Sequence, residues 1–186
     1  MKLLKTAGTM GRYYGKKDMV FCLIFADIAA PYENYDYFTQ SKNDLDKEKA
    51  LRNIPMVLCQ MRWDGKLGFP GGNVELHHKN LEEAVLAELE EEIGLVDINM
   101  DNLNLLATFA DDKRHITSFS YKVTYEDLKK IQLNSCNAKH YYSENTGSIL
   151  LQIHENSVPN LNKQFFAGTG LKELNLLINK FNLLEK

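Results

Sequence analysis

The sequence has few cysteines, no hydrophobic run of transmembrane length and no basic block. Its three cysteines, Cys22, Cys59 and Cys136, lie far apart and lack the spacing of a metal-binding motif, so we expect reduced, mostly buried thiols. The long apolar stretch 19–30 is interrupted by Asp27 and is too short to span a bilayer. We therefore expect a cytoplasmic protein, or a nuclear one, without a membrane partner.

The charge and composition are those of an ordinary globular chain. The 186 residues include 44% hydrophobic and 25% charged residues, and this composition supports one domain with a sizeable core. The net charge is −3, and basic residues cluster only in pairs such as Lys16 and Lys17, so any contact with RNA must be local. We expect a single domain over 1–186, in which the polar, Tyr-rich segment 29–54 forms a long loop or insertion.

Hydrophobic periodicity predicts strands and helices that do not alternate regularly. The predicted strands are 19–28, 55–62, 66–69, 104–110, 115–124 and 148–154, and the predicted helices are 81–93, 125–131 and 171–184. This order excludes a doubly wound parallel sheet. It favours an α+β fold with helices about a mixed sheet.

The segment 67–95, LGFPGGNVELHHKNLEEAVLAELEEEIGL, places a glycine pair and a polar loop before a helix rich in glutamate. Asn80 is a suitable N-cap for a helix over 81–93, and Gly94 is suited to its left-handed end. The pair Gly71 and Gly72 interrupts the chain and lets the backbone approach a metal or a phosphate closely.

Three of the glutamates converge on one face of this helix. At 100° per residue, Glu88, Glu91 and Glu92 share a sector, whereas Glu90 points to the far side. The apolar positions of the helix, which should pack on the sheet, are Leu81, Val85, Leu89 and Ile93. A solvated acidic face is the plain alternative. A carboxylate cluster beside a core is also tolerable where Mg²⁺ or Mn²⁺ neutralises it, because these cations prefer hard oxygen ligands.

The segment resembles a Nudix box. The residues that match the second half of the family pattern are Glu88, Leu89, Glu91, Glu92, Gly94 and Leu95. The first half departs from the pattern, because His78 or Lys79 stands where the early glutamate belongs and Ala87 replaces the arginine. In the family that arginine helps to hold the catalytic glutamates.

A narrower resemblance, from about residue 56 to the C-terminus, is to the Nudix subgroup of snoRNA-decapping and inosine-diphosphate-hydrolysing enzymes. It implies a Nudix-type α/β/α sandwich, a Mg²⁺ or Mn²⁺ cofactor and hydrolysis of a phosphoanhydride in a nucleoside diphosphate derivative, such as capped RNA or an IDP-like nucleotide. The implied metal ligands are the Gly71 carbonyl and the carboxylates of Glu88, Glu91, Glu92 and Glu144. The last three carboxylates are also the candidates for the base that accepts a proton from water.

Several residues are candidates for contact with the substrate. Arg62 flanks the Asp64-Gly65 turn and could meet phosphates, and the aromatic rings of Phe21 and Phe166 could stack on a base, although core packing is the alternative for both rings. The remaining predicted contacts, from the GFPGG segment, are Phe69 and Gly72. The competing hypothesis is a catalytically weak or inactive Nudix-fold module that binds a nucleotide or RNA. Its motivation is Ala87 together with the absent early glutamate. A homodimer is a further expectation.

Overall fold

A mixed sheet forms the centre of the computed structural model, which describes residues 1–4, 8, 10–11, 15–27, 54–154 and 158–184. Its strands are β1 (Lys2–Leu3), β2 (Lys17–Ala26), β3 (Met56–Arg62), β4 (Leu67–Gly68), β5 (Gly71–Asn73), β6 (Leu103–Ala110), β7 (Arg114–Lys122) and β8 (Asn145–Gln152). The strand order is β1-β6-β7-β2-β3-β4, with β5 paired to β2 and β8 paired to β3. Apart from Ile54, the predicted long loop 29–54 lies outside the described residues, and the single domain over 1–186 stays a prediction.

Strand β2 organises the sheet because it is buried over most of its length and pairs with both parallel and antiparallel strands. It runs parallel to β7, with Phe21 opposite Ser118, and antiparallel to β3 and β5. Its apolar sequence KDMVFCLIFA suits a strand with helices on both faces. The sheet is therefore mixed, as predicted.

Helices cover the two faces of this sheet. They are α1 (Leu81–Ile93), α2 (Tyr125–Asn134), α3 (Tyr141–Glu144) and α4 (Gly170–Phe181). Apolar residues of α1 and α2 pack with one face of β2 in one core cluster, and those of α4 pack with the other face in a second cluster. The predicted α+β fold, a sandwich of helices about a mixed sheet, is confirmed.

Helix α1 begins and ends where the sequence predicts. The side chain of Asn80 accepts a hydrogen bond of 2.7 Å from the Glu83 amide. Gly94 adopts a left-handed conformation with φ 68°, and its amide donates to the carbonyl of Glu90. These two caps fix both ends of the helix that carries the glutamates.

Several local predictions were wrong. The glycine pair does not break the chain, because Gly71 and Gly72 belong to β5 and pair with β2. Cys136 is exposed, whereas Cys22 and Cys59 are buried as predicted, and burial raises the pKa of both thiols. Strand β8 begins at Asn145 rather than at 148, and the short elements β1 and α3 were not predicted. Within the described residues, no helix combines the length and the apolar character needed to cross a bilayer.

Candidate active site

Helix α1 presents its glutamates beside the core. The side chains of Leu81, Val85, Leu89 and Ile93 are buried, and Glu90 is exposed. Glu88 and Glu91 are partly buried and Glu92 is buried, at the edge of the apolar stripe. This arrangement confirms the predicted faces of the helix.

Glu92 is the most deeply placed of these carboxylates. Its Oε2 accepts a hydrogen bond of 2.9 Å from the Gly71 amide, so the glycine at the start of β5 is joined directly to α1. Burial raises the pKa of Glu92 to about 8; the Gly71 hydrogen bond opposes this shift, and repulsion from Glu88 and Glu144 adds to it. The environment therefore favours the neutral form unless a positive charge compensates.

Glu88 has a similar environment. Burial raises its pKa to about 7, and repulsion from Glu91, Glu144 and Glu75 contributes in that order. Glu75 was not predicted as part of the site. It lies in the loop between β5 and α1, and its sequence neighbourhood gives no periodic signal, so only the fold shows that it stands near Glu88.

Glu144 joins this cluster from the other side. It ends α3, is exposed, and raises the pKa of both Glu88 and Glu92 by repulsion. The pairing of β3 with β8 shifts register between Met61 and Arg62, where Arg62 stands opposite Asn145. Such irregularities change the direction of side chains relative to a regular sheet. Here the register shift lies next to Arg62 and Glu144, which both line the same pocket.

A pocket of about 240 Å³ lies beside these carboxylates. Among its lining residues are Phe21, Arg62, Phe69, Gly71, Glu92 and Glu144, all of which are predicted site residues. Two other predicted contacts lie elsewhere. Gly72 faces the Glu88 carboxylate, and Phe166 is buried in the core, with its ring centroid 6.3 Å from that of Phe69.

The pocket is also lined by residues that the sequence did not predict. Glu173 is 2% exposed and lines the pocket together with Thr169, whose hydroxyl donates a hydrogen bond to Glu173 Oε1. Burial raises the pKa of Glu173 to about 7, against the opposing effect of the Thr169 and Ser118 hydroxyls. A glutamate on an amphipathic helix resembles an ordinary surface residue, so only its burial reveals it.

Gln60 is a second missed residue. It interrupts the apolar strand β3, is buried, and lines the pocket beside Glu92, whose pKa its side chain lowers. Its Nε2 has no hydrogen-bond partner of good geometry among the described residues. A polar residue in the middle of an apolar strand is the signal that could have identified it.

The donor set fits a hard divalent cation by its chemistry. In the described residues, no three His, Cys, Asp or Glu side chains converge closely enough to hold an ion as they stand. The carboxyls of Glu88 and Glu92 nevertheless have pKa values raised by burial and by repulsion from neighbouring glutamates, which a cation would relieve. Both polar atoms of the Asn145 side chain, next to Glu144, are buried and lack a partner in the described part of the chain. Oxygen donors of this kind suit Mg²⁺ or Mn²⁺.

Comparison with known proteins places this site in a family. The sequence matches the Nudt16-like family, described as U8 snoRNA-decapping enzyme-like, over residues 37–184. The chain belongs to the Nudt16-like family. This membership confirms the predicted resemblance, and several curated relatives in the comparison are named as decapping enzymes.

Curated relatives of this Nudt16-like chain carry two different names. The U8 snoRNA-decapping enzyme of Xenopus laevis is 32% identical over 114 residues, which cover 57% of this chain and 54% of that protein. The Mus musculus enzyme is 27% identical over 152 residues, which cover 75% of this chain and 78% of that protein. The Tudor-interacting repair regulator protein of Gallus gallus is 26% identical over 136 residues, which cover 69% of this chain and 43% of that protein. The chain thus spans about half the length of the frog and chicken proteins.

A solved structure agrees with the fold of the Nudt16-like chain. A mutT/nudix family protein from Listeria innocua superposes with a TM-score of 0.57 at 17% identity, covering 89% of this chain and 94% of that protein. At this identity the similarity concerns the fold alone.

Proposed function

We propose that the chain hydrolyses a phosphoanhydride in a nucleoside diphosphate derivative, either a capped RNA end or an IDP-like nucleotide, with Mg²⁺ or Mn²⁺ as cofactor. One observation carries the proposal. Two carboxyls with raised pKa values, Glu88 and Glu92, lie near Glu144, and Glu92 and Glu144 line a pocket together with two arginines and aromatic rings. This is the charge distribution that phosphate chemistry requires.

The carboxylate end of the pocket would hold the cofactor. Glu88, Glu91, Glu92 and Glu144, with the Gly71 carbonyl, are the proposed ligands. A divalent cation bound there would neutralise charge on the phosphoryl group and on the attacking water. One carboxylate must also accept a proton from that water, and Glu91, Glu92 and Glu144 are the candidates. No serine or cysteine nucleophile is needed for this reaction.

The remaining walls of the pocket would bind the nucleotide. The Arg62 side chain packs against Gly68, where an added Cβ would stand 3.2 Å from Arg62 Cδ. Arg62 lines the pocket, and its guanidinium can bind phosphate oxygens. Phe21 and Phe69 supply apolar surface against which a ribose or a base can pack. Phe166 packs against Phe69 and does not line the pocket, so its role in this proposal is indirect.

A substrate panel tests the proposal. The purified protein is incubated with capped RNA, inosine, guanosine and adenosine diphosphates, ADP-ribose and dinucleoside polyphosphates, each with Mg²⁺, with Mn²⁺ and with EDTA. Products are identified by mass spectrometry, and kcat/KM ranks the substrates. We expect hydrolysis of at least one substrate that depends on the metal. Turnover that EDTA leaves unchanged, or no turnover of any substrate, would contradict the proposal.

A binding module without turnover is the second candidate. The observation in its favour is the similarity to the Tudor-interacting repair regulator protein, whose name describes an interaction rather than a reaction. Ala87 also removes the arginine of the family pattern. Retention of Glu88, Glu91 and Glu92 favours the enzyme, because a protein that only binds does not need a carboxylate cluster at such an electrostatic cost. Calorimetric binding of a nucleotide without product formation would support this candidate.

A further inference from the structure

Helix α1 lacks any positive charge of its own. Its sequence LEEAVLAELEEEI contains six glutamates and no lysine or arginine, and its last turn has no basic residue. The C-terminal end of a helix carries a partial negative charge, so glutamates in the last turn are unfavourable there. Positive charge must come from another part of the chain or from a bound cation.

The segment before α3 supplies a positive charge and a capping amide. Lys139 Nζ lies 3.3 Å from Glu91 Oε1, and His140 Nδ1 lies 3.3 Å from Glu91 Oε2. The His140 amide also donates a hydrogen bond of 2.8 Å to the Glu91 carbonyl, one of the carbonyls that a helix end leaves unsatisfied. Both carboxylate oxygens and the main chain of Glu91 are therefore held by two consecutive residues.

The same segment carries Glu144. The His140 carbonyl accepts a hydrogen bond of 3.0 Å from the Glu144 amide and begins the single turn of α3. A continuous path of contacts thus runs from the Glu91 side chain through His140 to Glu144. This path fixes the main chain of Glu144 relative to Glu91, which lies in a distant part of the sequence.

We propose that Lys139 and His140 are positioning residues, which hold the Glu91 carboxylate and the main chain of Glu144 in one arrangement at the end of α1. The inference rests on the proposed function and deepens it. Position 87, one turn before Glu91, is an alanine, so no cationic side chain within α1 can orient the Glu91 carboxylate. The orientation of Glu91 is set instead by the segment that delivers Glu144.

The effect should appear in turnover more than in stability. The side chain of Lys139 is 70% exposed and that of Glu91 is 42% exposed, and an ion pair so exposed contributes only about 0–1 kcal/mol to folding. A catalytic carboxylate displaced by about 1 Å, however, can slow a reaction by about a hundredfold. Loss of positioning should lower kcat and leave KM nearly unchanged, because the proposed substrate contacts, Arg62, Phe21 and Phe69, stay in place.

The activity test compares four variants of the full chain on the best substrate of the panel. Lys139→Met should lower kcat about tenfold, and Lys139→Met/His140→Ala should lower it further, each with KM within twofold. Lys130→Met is the matched control, since Lys130 pairs with Asp127 at 3.4 Å with 71% and 52% exposure, away from the pocket. Ala87→Arg added to Lys139→Met should restore kcat to within about threefold, because an arginine four residues before Glu91 can pair with it. An unchanged kcat in the double variant, or no restoration by the arginine, would overturn the proposal.

Hydrogen exchange gives a second readout that needs no activity. In Lys139→Met/His140→Ala, the amides of residue 140 and Glu144 should exchange at least tenfold faster than in the wild type, while amides at the centre of β2 keep their protection. Unchanged exchange at both amides would overturn the proposal that Lys139 and His140 are positioning residues. A wild type without turnover would contradict the proposed function alone, and the exchange rates would still decide whether these two residues hold Glu144 against α1.

Discussion

Gly72 lies directly against the carboxylate of Glu88. A Cβ at residue 72 would stand 2.5 Å from Glu88 Oε1 and 2.8 Å from its Cδ, distances that no side chain tolerates without movement. The strand β5 and the helix α1 therefore meet where a metal-binding carboxylate is proposed. The backbone of Gly72 has no left-handed φ that would require a glycine. The glycine is required because the Glu88 side chain approaches it closely.

Gly72→Ala should keep the fold and lower activity. The atoms that must move belong to the end of the Glu88 side chain, which can turn aside at little cost, so we expect kcat to fall at least tenfold with a small change in unfolding free energy. Gly71→Ala provides the contrast, because Gly71 has φ 144° and its Cβ would stand 2.1 Å from the Val20 carbonyl oxygen. That variant should unfold at much lower urea concentration. A fully active Gly72→Ala enzyme would argue against Glu88 as a ligand.

We expect kcat to fall by at least about a hundredfold in Glu91→Gln and in Glu92→Gln. This is the lower limit of the effect usually seen when a general base or a charge-stabilising group is lost. Steady-state kinetics with Mg²⁺ measure the effect, and circular dichroism checks the fold. Glu90→Gln is the control in the same turn of α1, since that side chain is exposed and points away from the pocket. Near-normal turnover in both test variants would remove these carboxylates from the mechanism.

Millimolar Mg²⁺ or Mn²⁺ should raise the melting temperature of the wild type. Neighbouring glutamates repel the carboxyls of Glu88 and Glu92 in the folded protein, and a cation that binds only the folded state stabilises it by mass action. Glu88→Gln should reduce the shift. A melting curve that responds to Zn²⁺ but to neither Mg²⁺ nor Mn²⁺ would contradict a site of hard oxygen ligands.

Glu173→Gln should stabilise the protein at high pH. The folded-state pKa of Glu173 is raised to about 7, so between pH 4.5 and 7 the unfolded chain loses this proton while the folded chain keeps it, and stability falls as pH rises. Above pH 7 the penalty reaches about 3 kcal/mol in the wild type and is absent in a glutamine variant. Urea unfolding at pH 5 and pH 8 measures the difference. If the free energies of unfolding of the variant and the wild type differ by the same amount at both pH values, Glu173 does not titrate as its burial indicates.

The sequence predicted those features that depend on neighbouring residues. Helix α1 has the expected limits because Asn80 and Gly94 act on adjacent backbone, and the faces of Glu88 and Glu90 follow from helical geometry. The glycine pair was misread because its pairing with β2 is a tertiary contact that local propensity cannot show.

Long-range contacts explain the missed parts of the site. Glu75 and Lys139 reach the carboxylates from separate loops, and nothing in their own sequence neighbourhoods distinguishes them from solvated residues. Glu173 falls on the polar side of a simple amphipathic pattern, yet it is buried against the pocket. Such residues are identified only when the elements that surround them are placed together.

The parallel pairing of β2 with β7 has a consequence for the order in which the molecule assembles. Lys17 stands opposite Arg114, so the two strands can join only after the chain between them, including all of α1, has been synthesised. Contacts between such distant residues form slowly because a large loop must close first. Phe21 and Ile116 then meet in one pocket wall. The carboxylate helix therefore emerges from the ribosome before β7 and Glu144, and a chain that stops short of β7 would lack both the Ile116 part of the pocket wall and the carboxylate of Glu144.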